Sequence, residues 1–256
     1  MTQNRPPRGA ILPNRGAGDS GESRHVPLHT DNFALDSLFM EEDARFVAAR
    51  ERMVADQIAG RGISDTAVLR AMRLVPRQHF VPESERPYAY DDTPLPIPAH
   101  QTISQPYVVA YMIAALALGP DDRVLEVGAG SGYAAAVLSR IVGEVYTVER
   151  HPELADYARA RLAALGYDNV HVHQGDGTRG WPEHAPYDGI IVAAGGPAVP
   201  ESLRAQMADG GRLVIPVGRS RQQQYLIRVT RQADGRAREE RLAPVAFVPL
   251  IGDEGW

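Results

Sequence analysis

The chain has 256 residues, 44% of them hydrophobic, a formal net charge of -5 and no cysteine. That length and apolar content suit one large domain, or a domain with a small appendage. The missing cysteine excludes disulfides, zinc–thiolate sites and cysteine nucleophiles, and the mild acidic balance argues against nucleic acid as an obligatory partner, which calls for a basic face.

Residues 1–40 are rich in Pro, Gly, Arg and Ser and are expected to be a disordered tail. Arg5, Arg8 and Arg15 precede the first acid, Asp19, as in a transit peptide, but Pro6, Pro7 and Pro13 spoil any amphipathic helix, and no apolar stretch marks a secretory signal. Apolar residues at helical spacing (Phe46, Val47, Met53, Val54, Ile58) predict a helix over 42–60, stopped by Gly60 and Gly62. Ser64 or Asp65 can cap a second helix carrying Val68, Leu69, Met72 and Leu74, which ends before Pro76. Residues 76–106 hold seven prolines and are expected to be irregular but ordered, because Phe80, Val81, Tyr88, Tyr90, Leu95 and Ile97 are too apolar for a free linker. A helix over 106–118 follows, with Pro106 in its first turn. Its apolar run, 108–118, falls short of the ~20 residues of a membrane span, so no membrane partner is expected.

From Asp121 strand and helix alternate. Strands are predicted at 123–127, 144–148, 170–173, 188–193 and 212–217, with helices at 133–142, 152–165 and 200–207, the last ended by Gly210-Gly211. Such alternation builds a parallel sheet covered on both faces. Two further strands, 224–231 and 243–250, are predicted around a turn at Asp234-Gly235 and would finish the sheet as an antiparallel edge. The expected fold is α/β: a seven-stranded, mostly parallel, doubly wound sheet of Rossmann-like type with an N-terminal helical cap.

In an open parallel sheet, ligands sit at the carboxyl ends of the strands near the switch in strand order. The first strand ends in Glu126-Val127-Gly128-Ala129-Gly130-Ser131-Gly132. Glycine at every second position lets the backbone turn tightly and a ligand approach closely. A dinucleotide fingerprint, G-x-G-x-x-G, would need glycine at 133, where the chain has Tyr133. The acid-x-G-x-G-x-G pattern instead resembles the first motif of the seven-strand S-adenosylmethionine-dependent methyltransferases. Glu149 ends the second strand and can accept both ribose hydroxyl hydrogens; alone it also fits a surface acid in a turn. Asp176, in Gly175-Asp176-Gly177, stands where such enzymes bond the adenine amino group, and equally fits an ordinary Asp-Gly turn. Glu126 either marks the helix entry or faces the methionine ammonium. Three acids at three successive strand ends make S-adenosylmethionine the expected cofactor; no metal is expected.

Further elements narrow the resemblance. Gln101-Thr102-Ile103-Ser104-Gln105-Pro106, Val75-Pro76-Arg77, Phe80-Val81-Pro82, Pro186-Tyr187-Asp188, Leu213-Val214-Ile215-Pro216-Val217-Gly218 and Phe247-Val248-Pro249-Leu250 together resemble the protein-L-isoaspartate (D-aspartate) O-methyltransferase family over about residues 45–251. The resemblance implies methyl esterification of isoaspartyl and D-aspartyl carboxyls in damaged proteins, initiating repair through a succinimide. It implies Ser104 as the active-site residue and Thr102, Ile103, Ser104 and Gln105 as cofactor lining, joined by Glu126, Gly128, Gly130, Ser131, Gly132, Glu149, Arg150, Asp176 and Gly177. Ser104 also fits an N-cap of the 106–118 helix.

Departures are Pro98, where the family usually has glycine, Val109, where the human-type enzyme has histidine, and the run Ala193-Ala194-Gly195-Gly196. These leave open a carboxylate on a modified-peptide precursor or a small molecule. Relatives that modify peptides carry a long extra C-terminal domain, whereas this sequence runs about five residues past its last predicted strand, which favours repair. The expected organisation is a tail (1–40), a helical, substrate-side region (41–120), a cofactor-binding core (121–218) and strands completing the sheet (219–256), in a cytoplasmic monomer.

Overall fold

A helix over residues 44–52 (α1) opens the part of the chain that a computed structural model describes, residues 44–220 and 223–256. The expected tail and the first residues of the first helix lie outside it. α1 runs into a wider π turn, Met53–Ile58, and a 3₁₀ turn, Ala59–Arg61. Gly60 lies inside that last turn; Gly62, at φ 94°, is the residue that stops the helix. Asp65 caps α2 (Thr66–Leu74), its carboxylate accepting the Val68 N–H at 3.0 Å. Helix α2 ends at Val75 because the following proline disfavours helical dihedrals there.

The proline-rich stretch is more regular than its composition predicts. Two 3₁₀ turns, Arg77–Phe80 and Glu83–Tyr88, lead to a hairpin of β1 (Leu95–Ile97) and β2 (Gln101–Ile103). Its inward residues Leu95, Ile97 and Ile103 are buried. Three-residue strands carrying Pro96 are too short to show periodicity, so only packing reveals them. β2 leads directly into α3 (Pro106–Leu116).

The main sheet has the order β5-β4-β3-β6-β7-β8-β9. Its strands are β3 (Arg123–Val127), β4 (Glu144–Glu149), β5 (Val170–Gln174), β6 (Tyr187–Val192), β7 (Met207–Gly218), β8 (Gln224–Arg231) and β9 (Ala237–Val245). The first five pair in parallel and the last two add antiparallel. Alternate residues feed two cores. Val124, Val145 and Ile191 pack with α2, α3, α4 (Tyr133–Leu138) and α5 (Pro152–Ala164), whereas Leu125, Val148 and Ile190 pack on the other face with Tyr187 and with Leu203 of α6 (Glu201–Ala205).

Three boundaries differ from expectation. α4 stops at Leu138 rather than continuing to 142. Gly210-Gly211 do not end the α6 helix but lie within β7, where pairing with β6 jumps from Tyr187↔Met207 to Gly189↔Arg212, a bulge that absorbs the extra residues. The last strand is Ala237–Val245, not 243–250, and starts just after the Asp234-Gly235 turn. Its first half is exposed and charged, with Arg228–Glu240 and Arg204–Glu239 ion pairs along it. A charged edge resists pairing with other chains and carries no apolar signal.

The chain order reverses at β3: β4 and β5 lie to one side, β6 and β7 to the other. The carboxyl end of β3 is therefore the switch point where a ligand crevice forms.

Candidate active site

A cavity of about 290 Å³ opens at that switch point. The turn leaving β3 forms its floor. Gly128 and Gly132 adopt φ 95° and 87°, which a side chain would strain. Gly128 N–H donates to Val148 O at 2.8 Å and Gly132 N–H to Ala129 O at 2.8 Å, closing the loop against β4.

Glu149, at the end of β4, is 4% exposed. Its Oε2 accepts from Gly130 N–H at 3.0 Å and its Oε1 from His151 N–H at 2.9 Å. The second acid is thus tied into the glycine turn, not left on the surface, and its remaining lone pairs face the cavity it lines. Glu126 is 1% exposed, on β3, and also lines the cavity. Its only hydrogen-bonding side-chain partner among the described residues is Thr147, whose hydroxyl donates to Oε2 at 2.6 Å. Burial, with the nearby Glu149 charge adding to it and Thr147 opposing, raises its pKa to about 8. A desolvated acid with no cation beside it among the described residues fits a site for a cationic ligand group.

The hairpin and α3 supply the opposite wall through Gln101, Thr102, Ile103, Ser104 and Val109. Among the described residues the Ser104 hydroxyl has no hydrogen-bond partner. It does not cap α3 either: Gln105 holds the N-cap position, and no side chain caps that helix.

Of the thirteen residues anticipated, Thr102, Ile103, Ser104, Glu126, Gly128, Gly130, Ser131, Glu149, Arg150 and Gly177 lie on the wall. Three do not. Gln105 turns away, its side-chain amide donating to Asp92 O at 3.0 Å. Gly132 faces α5; a Cβ there would lie 3.2 Å from Leu162. Asp176 caps the 3₁₀ turn Gly177–Arg179, accepting from Thr178 N–H at 2.9 Å, Thr178 Oγ1 at 2.8 Å and Asp253 N–H at 2.8 Å. Burial opposes, but these donors prevail and hold its carboxyl below the usual range. Asp176 thus caps a turn and is not itself on the cavity wall, whereas its neighbour Gly177 is.

The wall also includes residues not anticipated, above all Tyr133, Ala194 and the C-terminal run Val248, Pro249, Leu250 and Ile251. That run is held by Gly195, whose N–H donates to Val248 O and whose carbonyl accepts from Leu250 N–H, each at 2.8 Å, and from Trp256 Nε1 at 2.9 Å. A Cβ at Gly195 would collide with the Gln224 amide at 2.3 Å, which accounts for glycine in the Ala193–Gly196 departure. The signal that could have found this wall was the Phe247-Val248-Pro249-Leu250 motif itself.

A seven-stranded sheet of this order, with an acid-terminated glycine turn and a second acid anchored to it, defines a Rossmann-like S-adenosylmethionine-dependent methyltransferase. The profile of the family "Protein-L-isoaspartate(D-aspartate) O-methyltransferase" matches residues 48–255, and the chain belongs to that family. A Rhodopseudomonas palustris (strain HaA2) relative named protein-L-isoaspartate O-methyltransferase 1 is 59% identical over 234 residues, covering 91% of each chain. One from Pelobacter propionicus, named protein-L-isoaspartate O-methyltransferase 2, is 63% identical over 207 residues, 81% of this chain and 92% of the relative. A solved protein-L-isoaspartate O-methyltransferase superposes with a TM-score of 0.72 at 32% identity, covering 80% of this chain and 67% of the other. A Plasmodium falciparum structure described under the same activity, in complex with S-adenosyl-L-homocysteine, gives 0.67 at 26% identity, covering 79% of this chain and 98% of the other.

Proposed function

We propose that this protein transfers a methyl group from S-adenosylmethionine to the free carboxyl of L-isoaspartyl, and D-aspartyl, residues in damaged proteins. The observation that carries the reading is one cavity holding two buried carboxylates on the glycine-turn side and the unpaired Ser104 hydroxyl on the other. The modified-peptide and small-molecule alternatives are not favoured, since relatives with the repair-enzyme name span nearly the whole chain.

When bound, S-adenosylmethionine supplies a methyl group already activated on a sulfonium. Glu149 accepts hydrogen bonds from the ribose hydroxyls, Glu126 faces the ammonium of the methionine part, and Gly128, Gly130, Ser131 and Gly177 give the backbone close approach. Arg150 stands at the exposed rim. A substrate carboxylate is ionised at pH 7 and is its own nucleophile. The chain therefore needs no strong base; it has to align the carboxylate and exclude water. The Ser104 hydroxyl donates to one carboxylate oxygen and leaves the other to form the new O–C bond. Val109, Leu154, Val248 and Leu250 keep the wall apolar. The resulting ester closes to a succinimide off the enzyme, releasing methanol, and hydrolysis partly restores aspartate.

Residues 41–120 supply the substrate side through Thr102–Ser104, 121–218 the cofactor core and 219–256 the closing strands. No helix among the described residues is long and apolar enough to cross a membrane; we place the protein in the cytoplasm, acting as a monomer. The test is methyl transfer to an isoaspartyl peptide and to its aspartyl twin. Transfer to the isoaspartyl form alone is expected; equal rates, or none with either, overturn the assignment.

A further inference from the structure

Arg77 begins the 3₁₀ turn after α2 and is 0% exposed. Among the described residues no carboxylate pairs with it. Its Nε donates to Ala89 O and its Nη2 to Ser104 O, each at 2.8 Å. Its guanidinium carbon lies 4.7 Å from the centroid of the Tyr133 ring, and among the described residues its buried Nη1 makes no hydrogen bond of good geometry. Burial lowers its pKa, with Tyr133 and Tyr90 opposing.

An isolated cation in a protein core is expensive, and an apolar side chain of similar volume is commonly the more stable choice. The charge therefore does not explain the residue as a packing element. What no apolar residue, and no lysine, can do is span two carbonyls with one rigid planar fork while its face rests on an aromatic ring. The three groups so joined come from different parts of the site's frame. Ala89 belongs to the connection before the hairpin, Ser104 to the substrate-side wall, and Tyr133 to the wall beside the glycine turn. Among the described residues the Ser104 hydroxyl itself has no hydrogen-bond partner.

We propose that Arg77 is a positioning residue for methyl transfer: it locks the Ser104 backbone to the Tyr133 end of the cofactor turn, so that the Ser104 hydroxyl faces the cavity. This rests on the reading of Ser104 given above.

The test is Arg77→Lys, alone and with Ser104→Ala, in the full chain. Lysine keeps the charge but replaces the rigid planar fork with one ammonium on a flexible stem, so it does not hold the two carbonyls in a fixed geometry. Arg77→Lys is expected to lower kcat with an isoaspartyl peptide at least about tenfold and to leave the calorimetric Kd for S-adenosylhomocysteine within about threefold. In the Ser104→Ala background the same change is expected to lower kcat by less than about twofold, because residues that act as a unit are non-additive. An equal loss in both backgrounds marks a merely structural role and overturns the proposal, as does an Arg77→Lys enzyme within about twofold of the parent. If Ser104→Ala alone is fully active, the Ser104 reading fails, and this proposal with it. Should Arg77→Lys not fold, Arg77→Gln, which removes the buried charge and keeps one donor, is judged by the same criteria; if neither folds, Arg77 is a folding residue and the proposal falls.

Discussion

Glu126 makes ligand binding depend on pH, with a sign and size that follow from its surroundings. It is buried on β3, with the Thr147 hydroxyl and the Ala135 backbone as donors and Glu149 nearby, and burial pushes its pKa up from 4.5 to about 8. At pH 6, ionising such a group costs about 2.7 kcal/mol, a factor of about one hundred. A ligand whose ammonium faces Glu126 needs the ionised form, so that cost is taken from its affinity. The affinity of S-adenosylhomocysteine is therefore expected to rise about tenfold between pH 6 and pH 7 as Glu126 gives up one proton. Calorimetry in buffers of different ionisation heat counts that proton directly. Glu126→Gln removes the titration and should flatten the profile. In the ligand-free protein the sign is opposite: a folded-state pKa above the unfolded one means stability that is full below pH 4.5 and declines as pH rises through about 8, by at most about 1.4 kcal/mol per unit. A wild-type affinity that changes less than about threefold from pH 6 to 7, with no proton released, refutes the reasoning.

The remaining predictions concern single side chains. Ser104→Ala should lower kcat at least about tenfold while the calorimetric Kd for S-adenosylhomocysteine stays within about threefold, since its hydroxyl bonds nothing among the described residues; unchanged turnover removes it from the reaction. Glu149→Ala deprives Gly130 N–H and His151 N–H of their acceptor and the ribose of its own. Cofactor affinity should drop at least about tenfold, consistent with the 1.5–3 kcal/mol of charged hydrogen bonds; retained affinity would mean that the pocket is used differently. Asp65→Ala removes the cap of α2 and should cost about 1 kcal/mol in denaturant unfolding with kcat unaltered; no change in midpoint would show the cap to be idle.

How much of this was legible depends on whether a feature is periodic along the chain or made by contact between distant parts. β3, β4 and β6 stood out because strands buried on both faces are rich in Val, Ile and Leu, and the helices α4 and α5 begin after glycine or at Pro152, where local rules apply. β9 escaped because an exposed edge carries Arg238, Glu239, Glu240 and Arg241, which have no apolar phase. The β1–β2 hairpin escaped because burial of Leu95 and Ile103 arises only after the chain folds over them. In the site the same division holds. The glycine spacing and the acid at each strand end are local, so Glu126 and Glu149 were readable.

Orientation was not readable. Asp176 and Gly177 are adjacent, yet the acid accepts from Thr178 and Asp253 off the cavity wall while the glycine lies on it. Ser104 shows the same limit from the other side. A serine just before Pro106 suits a helix cap or a substrate contact equally, because both uses need the same hydroxyl. Its neighbour removes the first use: Gln105 occupies the cap position, and no side chain caps that helix. Arg77, twenty-seven residues earlier in the chain, donates to the Ser104 carbonyl. Among the described residues the hydroxyl is unpaired, while the carbonyl is bonded by a residue that no local pattern connects to it. Such placement is set by tertiary contacts, and it is the link through which a buried arginine outside the cavity wall can govern chemistry on it.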